Sequence, residues 1–422
     1  MRITIVLPIL LFLFLGAAGS ILRPVARVPT LGAAGFEFIP SPIGPLLASA
    51  HFWDGKSADM SAPSILFTLS ASPSGNLTLS ELQRFPTKGA HGWDFFSIPG
   101  EFGGSFLVTC NYYGCGSERG PALGPCKSTS IYRFREEEGR FVLFQELATA
   151  GPAQTDHIVL PSGEAYLLVG ENFNDEVCVF RYTATQSSSS FAKFTCLRVP
   201  GAGAMAVAEA GGFIYLSLAS YFDSGWKTQS PVYRAATATD NTTRGSSRDA
   251  PPGALQWTLH QTLPTFGAHD ADSALIGGTE YLFVSEDRDD ASSRVSSGLY
   301  TLDQATGQYG LLQRIPTDGA HGGELFEGPG GRPYLAIANF GDRQGARYAA
   351  RSSVWRGEAG GGPFALVAEV QTQGATDVEH FALSGRHYIA FAEEGNLGRR
   401  TFQRSYIYEL TDASTGSAAG EL

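Results

Sequence analysis

Acidic residues recur in this chain at fixed distances behind a short Gly-Ala phrase. Counted three and five residues on, they form two columns, the first with Asp156, Asp270 and Asp377, the second with Glu37, Asp94, Asp272, Glu324 and Glu379. Side chains alternate along a strand, so positions two apart share one face. If those faces line a common axis, the converging anions repel one another unless they are hydrated, protonated or neutralised by a hard cation. The chemistry this suggests is a calcium ion near the mouth of a central channel, drawn from these eight carboxylates; a water-filled acidic pore without a specific ion is the competing arrangement.

Histidines form a third column, with His91, His269 and His321 directly after Gly-Ala. Three histidines can hold zinc. These belong to non-neighbouring copies of the phrase, so hydrogen bonding to nearby turns is the expected role, and His157 and His380 lie elsewhere. No nucleophile elbow, phosphate-binding glycine loop or metalloprotease helix motif is present, and the chain is expected not to be an enzyme. Aromatics gather where an apolar strand runs into its loop: Phe52, Trp53, Tyr112, Tyr113, Phe173, Tyr221, Phe222 and Phe340. Large aromatics with a polar rim make protein-binding hot spots. For each of them the alternative is a wedge between packed layers.

The elements that must position these residues are strands. The chain has 51 Gly, 28 Phe and 16 Tyr against 3 Met, and almost no stretch carries apolar residues at helical spacing, which is all-β composition. An aromatic or aliphatic strand ending in Pro-Thr, then Gly-Ala, recurs as Val28-Pro29-Thr30 with Gly32-Ala33, Phe85-Pro86-Thr87 with Gly89-Ala90, Leu263-Pro264-Thr265 with Gly267-Ala268, and Ile315-Pro316-Thr317 with Gly319-Ala320. Weaker marks sit at Gly201-Ala202, Gly374-Ala375 and Ala153-Gln154. Each mark leads into an apolar strand such as Tyr166-Leu167-Leu168-Val169 or Tyr334-Leu335-Ala336-Ile337, and then into a strand with a hydroxyl residue before an aromatic, such as Ser353-Val354-Trp355. Seven copies of a repeat of about fifty residues, four strands each, predict a seven-bladed β-propeller. Pro is tolerated in the outermost strand because an edge can leave one N–H unpaired. Leu22 to Thr30 precede the first copy while the last ends after its third strand at Leu410, so the two ends are expected to complete one blade.

The phrases Gly374-Ala375-Thr376-Asp377-Val378-Glu379-His380-Phe381, Tyr334-Leu335-Ala336-Ile337-Ala338-Asn339-Phe340 and Ser353-Val354-Trp355-Arg356 resemble the EAR repeat, also called the EPTP or epitempin repeat, of the leucine-rich glioma-inactivated proteins. The resemblance runs over nearly the whole mature chain and is strongest from Gly319 onward. It implies a seven-bladed propeller that recognises ectodomains of other proteins. The Asp-x-Glu form of that phrase makes Asp377 and Glu379 the foremost candidates for calcium. No leucine-rich or laminin-G domain accompanies the propeller, so the family's specific partners do not carry over.

Residues 1–19 read as a secretory signal, with basic Arg2, an apolar run from Ile3 to Leu15 and small residues at Gly16 to Gly19. A propeller over 21–410, a flexible tail over 411–422 and no membrane span in the mature chain follow. Five cysteines suggest Cys178–Cys196 as a cross-strand bridge, Cys115–Cys126 as a loop staple, and Cys110 as a buried thiol, with another pairing through Cys110 still open. Asn76 and Asn241 head glycosylation triplets in turns between third and fourth strands. A formal charge of -11 without clustered cations argues against nucleic acid. The leading expectation is a secreted module that binds extracellular or cell-surface proteins through its aromatic-rimmed channel face; a calcium-dependent hydrolase or lactonase and a glycan-binding lectin are the alternatives.

Overall fold

The computed structural model describes residues 21–30, 32–53, 60–113, 127–237, 255–342, 347–358, 360–395 and 405–411. The expected signal at 1–19, the pair Cys115 and Cys126, and Asn241 lie outside them. Twenty-eight strands pair into seven antiparallel four-stranded sheets. Blades 1 to 6 span residues 33–85, 90–148, 152–198, 202–266, 268–316 and 320–373. Blade 7 takes three strands from residues 375–411 and its fourth, Ile21–Arg27, from the other end of the chain, paired from Ile21↔Thr411 to Arg27↔Tyr406. Thr411 therefore belongs to the last strand rather than to the tail. The one helical segment among the described residues is a 3-10 turn at Pro329–Gly331, and no helix is long and apolar enough to cross a membrane.

The repeat phrase has a physical cause at each position. Its glycines, Gly32, Gly89, Gly151, Gly201, Gly267, Gly319 and Gly374, all hold φ between +55° and +65°, a backbone conformation that side chains disfavour. In blade 3 the mark is thus Gly151, two residues before the expected Ala153. Before most of the marks a Thr meets a Ser of, or just ahead of, the third strand in a buried hydroxyl pair, as in Ser64–Thr87 at 2.8 Å, Ser230–Thr265 at 2.8 Å, Ser297–Thr317 at 3.0 Å, Ser352–Thr372 at 2.8 Å and Thr30–Ser405 at 3.1 Å. In several blades that Ser also accepts the N–H that ends the second strand, as from Asn339 to Ser352 at 3.1 Å. The phrase therefore locks three strands together where burial would otherwise strand their polar groups.

Second strands are buried on both faces, all seven residues of Ala165–Glu171 among them. Neighbouring sheets share the resulting apolar layers: Leu46, Ala48 and Leu66 of blade 1 pack with Trp93, Tyr132 and Phe134 of blade 2. Burial of each such side chain contributes about 1.5–3 kcal/mol. At the perimeter a glutamine fastens one blade to the next by taking both the N–H and the C=O of a single residue. These pairs are Gln83 with Phe141, Gln145 with Phe191, Gln261 with Tyr309 and Gln313 with Phe364, at 2.7 to 3.1 Å.

Candidate active site in the central channel

The innermost strands surround a cavity of about 720 Å³. In every blade the strand bulges just after its Gly mark, as at Ala33/Gly35, Ala268/Asp270 and Ala375/Asp377, and then resumes alternation. This carries three successive layers of side chains toward the axis. All eight carboxylates proposed for the channel line it. Asp156 moves column, because Gly151 rather than Ala153 starts its blade: it pairs with Leu168 as Asp94 pairs with Val108 and Glu379 with Ala390. The deeper layer therefore holds six carboxyls, interrupted at Ala206 in blade 4.

Most of these carboxyls reach sideways to a backbone N–H of the next blade. Asp377 accepts from Phe36 at 3.0 Å, Glu379 from Phe38 at 2.9 Å, Glu37 from Phe95 at 3.2 Å, Asp270 from Gly323 at 3.1 Å and Asp272 from Leu325 at 2.6 Å, and Glu324 accepts from His380. Blade 3 makes the same link with an amide, Gln154 accepting from Met205 at 3.1 Å. Burial, reinforced by neighbouring carboxylates, holds Glu37, Asp270 and Glu324 well above the usual carboxylate range. Burial likewise lifts Asp377 to about 6, Asp272 to about 7 and Glu379 to about 8. Asp156 rises to about 7 through burial, against the opposing pull of His157. Burial works against a charge on His157, but Asp94, bonded to its Nδ1 at 2.9 Å, and Asp156 outweigh that and hold it at about 9.

The carboxyls proposed for calcium line one channel but do not form a preformed cluster of ligands. Among the described residues no three channel carboxyls bring ligand atoms within 4.8 Å of one another; the one cluster that does is Glu176 with Cys178 and Cys196, whose cysteines form the expected disulfide. One oxygen of most channel carboxyls is also committed to a backbone N–H, whereas calcium requires six to eight oxygens. Burial raises the pKa of these acids and the N–H donors of the next blade offset part of their charge.

The histidines, by contrast, converge although their blades are not neighbours throughout. His321 of blade 6 stacks on His269 of blade 5 at 3.9 Å, and His269 faces His91 of blade 2 across the axis at 6.3 Å. All three line the cavity. His269 Nδ1 lies 3.0 Å from the carbonyl oxygen of His321, which can only accept, so Nδ1 carries the proton and Nε2 the lone pair of the neutral ring. Tyr221 packs edge-on to His269 at 5.4 Å, and its hydroxyl donates to Asp287 at 3.0 Å. Asp287 also lies 3.7 Å from His321 Nε2.

A rim closes the site. The residue that follows each second strand donates its N–H to the carbonyl of the mark glycine: Phe52 to Gly32, Tyr112 to Gly89, Asn172 to Gly151, Tyr221 to Gly201, Asp287 to Gly267, Phe340 to Gly319 and Glu394 to Gly374. Sequence reasoning found the aromatic members of this column and missed Asn172, Asp287 and Glu394, whose only signal was their shared offset from the strand. Phe52, Trp53, Tyr112, Tyr113 and Tyr221 line the cavity as expected. Phe340 does not: it is fully buried, stacked on His321 at 4.2 Å, and is corrected from a binding residue to a support for that ring. Phe173 lies over Gly151 and against Tyr112, away from the cavity wall. Phe222 stands outside the cavity and exposed, 5.1 Å from the Trp226 ring. Elsewhere Cys110 is a buried free thiol and Asn76 is exposed in the turn between its third and fourth strands.

No family model matches the chain, and no curated protein matches it in sequence. Solved structures do match its fold. A candidate 6-phosphogluconolactonase of Bacteroides fragilis aligns with a TM-score of 0.53 and 15% identity, over 84% of this chain and 88% of that one. A second from Bacteroides uniformis gives 0.51 and 15%, over 84% and 89%. The periplasmic gluconolactonase of Pseudomonas aeruginosa gives 0.51 and 17%, over 81% and 86%. These likenesses establish the seven-bladed propeller. They also overturn the expectation of a non-catalytic chain, which rested on missing motifs: propellers of this shape bear lactonase names, and here histidines and carboxyls face one cavity.

Proposed function

We propose that this chain is a hydrolase of the lactonase kind, acting where the three histidines overhang the carboxyl layer of the channel. The observation that carries the reading is the meeting of His91, His269 and His321, from three blades, above acids that burial raises well above the usual carboxylate range. Ring opening of a lactone needs a base for the attacking water and a proton donor for the departing alkoxide. His269 Nε2, with its proton fixed on Nδ1, takes the water proton as oxygen adds to the lactone carbonyl. A protonated channel carboxyl hydrogen-bonds the developing oxyanion and supplies a proton to the ring oxygen as the C–O bond breaks, leaving a hydroxy acid. Asp287 holds Tyr221 beside His269. No step requires a bound metal.

The test is hydrolysis of glucono-δ-lactone followed by alkali consumption at constant pH. His269→Ala should lower the enzymatic rate by about 100-fold or more, the range of a lost general base, while thermal stability is retained. An unchanged rate would remove the assignment. The apolar stretch at 1–19 and the Cys178–Cys196 bridge support work in an exported, oxidising compartment.

A second role rests on Phe222, 43% exposed on the same face beside Trp226. With the EAR-like phrases it supports docking of an extracellular protein at the rim. Phe222→Ser should weaken cell-surface binding and leave lactone turnover intact; unchanged binding would remove this role.

A further inference from the structure

The fold's solved neighbours include proteins named for a phosphorylated lactone, and the channel chemistry of this chain points away from such a ligand. Nine carboxyl side chains and three histidines line the cavity, and among the described residues no lysine or arginine does. Arg288, the guanidinium behind the rim, is directed elsewhere: it lies over the Trp226 ring at 5.2 Å and 3.9 Å from Asp342. A phosphate recognised by protein calls for arginine, lysine or a row of backbone N–H groups. Here the N–H groups of the inner strands are already taken by carboxyls of the preceding blade.

A second observation lies in the wall of the cavity. Asp94 is 7% exposed, and while its Oδ1 is bonded to His157, its buried Oδ2 has no hydrogen-bond partner among the described residues. An orphaned carboxylate oxygen is costly and is satisfied only by a donor. A hydroxyl or an ammonium group donates; a phosphate dianion has no proton to give. Protonated carboxyls nearby offer further donors to hydroxyl oxygens, and ionised ones attract a cation. The aromatic mouth of Trp53, Tyr112 and Tyr221 suits the apolar face of a sugar ring and the face of an ammonium group alike.

We infer that the channel selects against anions: its ligand is an uncharged or ammonium-bearing polyol, and a phosphorylated sugar of similar size is refused. This rests on the lactonase reading for its substrate, a lactone without phosphate, but not for its charge preference. An ammonium group favours ionised carboxyls, so its binding releases protons into solution.

Two measurements test the inference together. Calorimetry of the full chain with glucosamine, glucose and glucose 6-phosphate, in two buffers of different ionisation enthalpy, reads affinity and proton release. Glucosamine and glucose should bind, glucosamine with proton release, and glucose 6-phosphate should bind at least about 100-fold more weakly, as like charges in a confined site require. Turnover of glucono-δ-lactone should exceed that of its 6-phosphate by a similar factor. Asp94→Asn should weaken glucosamine about tenfold or more and narrow the discrimination; should that variant not fold, Asp156→Asn, in the same layer, carries the same expectation. Glucose 6-phosphate binding as tightly as glucose, or neither glucosamine nor glucose binding, overturns the charge preference. Sugars bound in the expected order with neither lactone hydrolysed would sink the lactonase reading and leave this one standing.

Discussion

Adjacent blades are fastened at two radii with different chemistry. At the perimeter Gln83, Gln145, Gln261 and Gln313 each make two neutral hydrogen bonds to one residue of the next blade. At the axis, six acids do the corresponding work with one backbone bond each, and burial pushes all six upward in pKa. An amide would serve at the axis as well, as Gln154 shows by bonding Met205. The acids are thus a poorer choice for fastening and a better one for chemistry. The comparison teaches that the perimeter is built for stability, while the channel gives up some stability for groups that exchange protons near neutral pH.

The most severe way to break this comparison is at blade 7, whose outermost strand comes from the other end of the chain. Removing residues 21–30 strips the last blade of its edge strand, of fully buried Val28, of the Thr30–Ser405 pair and of the Arg23–Glu409 ion pair. Cooperative unfolding in calorimetry should be lost; an unshifted melting temperature would deny that this strand closes the ring. Next in size, Gln313→Ala leaves Phe364 with both an N–H and a C=O unmatched. A loss of about 2–4 kcal/mol in denaturant unfolding is expected, with turnover per folded molecule unaltered, since the site lies at the other radius.

What the chain disclosed in advance divides along the same line. Marks such as Gly319, which a left-handed backbone demands, and the Ser–Thr lock depend on short-range geometry and leave a repeated signature, so blade number and closure were legible. Blade 3 was misread by two residues because Gly151 is followed by Pro152 rather than Ala, and Asp156 went to the wrong column with it. The histidine cluster was hidden for a different reason. His91 and His269 are far apart in sequence and on opposite blades, and only the narrowness of the channel lets their rings face each other. Phe340 shows a third limit: an aromatic at a strand end can turn outward or pack inward, and its stacking on His321 decides the matter only in three dimensions.

The finest test of the comparison is a substitution expected to do almost nothing at one pH and something measurable at another. Glu379→Gln keeps an acceptor for the Phe38 N–H and removes the titrating group. In the folded protein Glu379 is held at about 8, mainly by burial, against 4.5 for an unperturbed glutamate. Below pH 4.5 both folded and unfolded chains carry the proton, so ionisation costs nothing and the variant should match the parent within about 1 kcal/mol. Between 4.5 and 8 the folded chain holds a proton that the unfolded chain has released, so raising the pH favours unfolding. Parent stability should therefore fall across this window while the variant falls less. By pH 9 the variant should be the more stable by about 1–2 kcal/mol, reduced from the full linkage value because the open channel screens part of the charge. A perimeter substitution such as Gln313→Ala should show an offset independent of pH. If the two variants gave parallel curves, the axial acids would be fasteners like the glutamines, and the proposed separation of roles between the two radii would be lost.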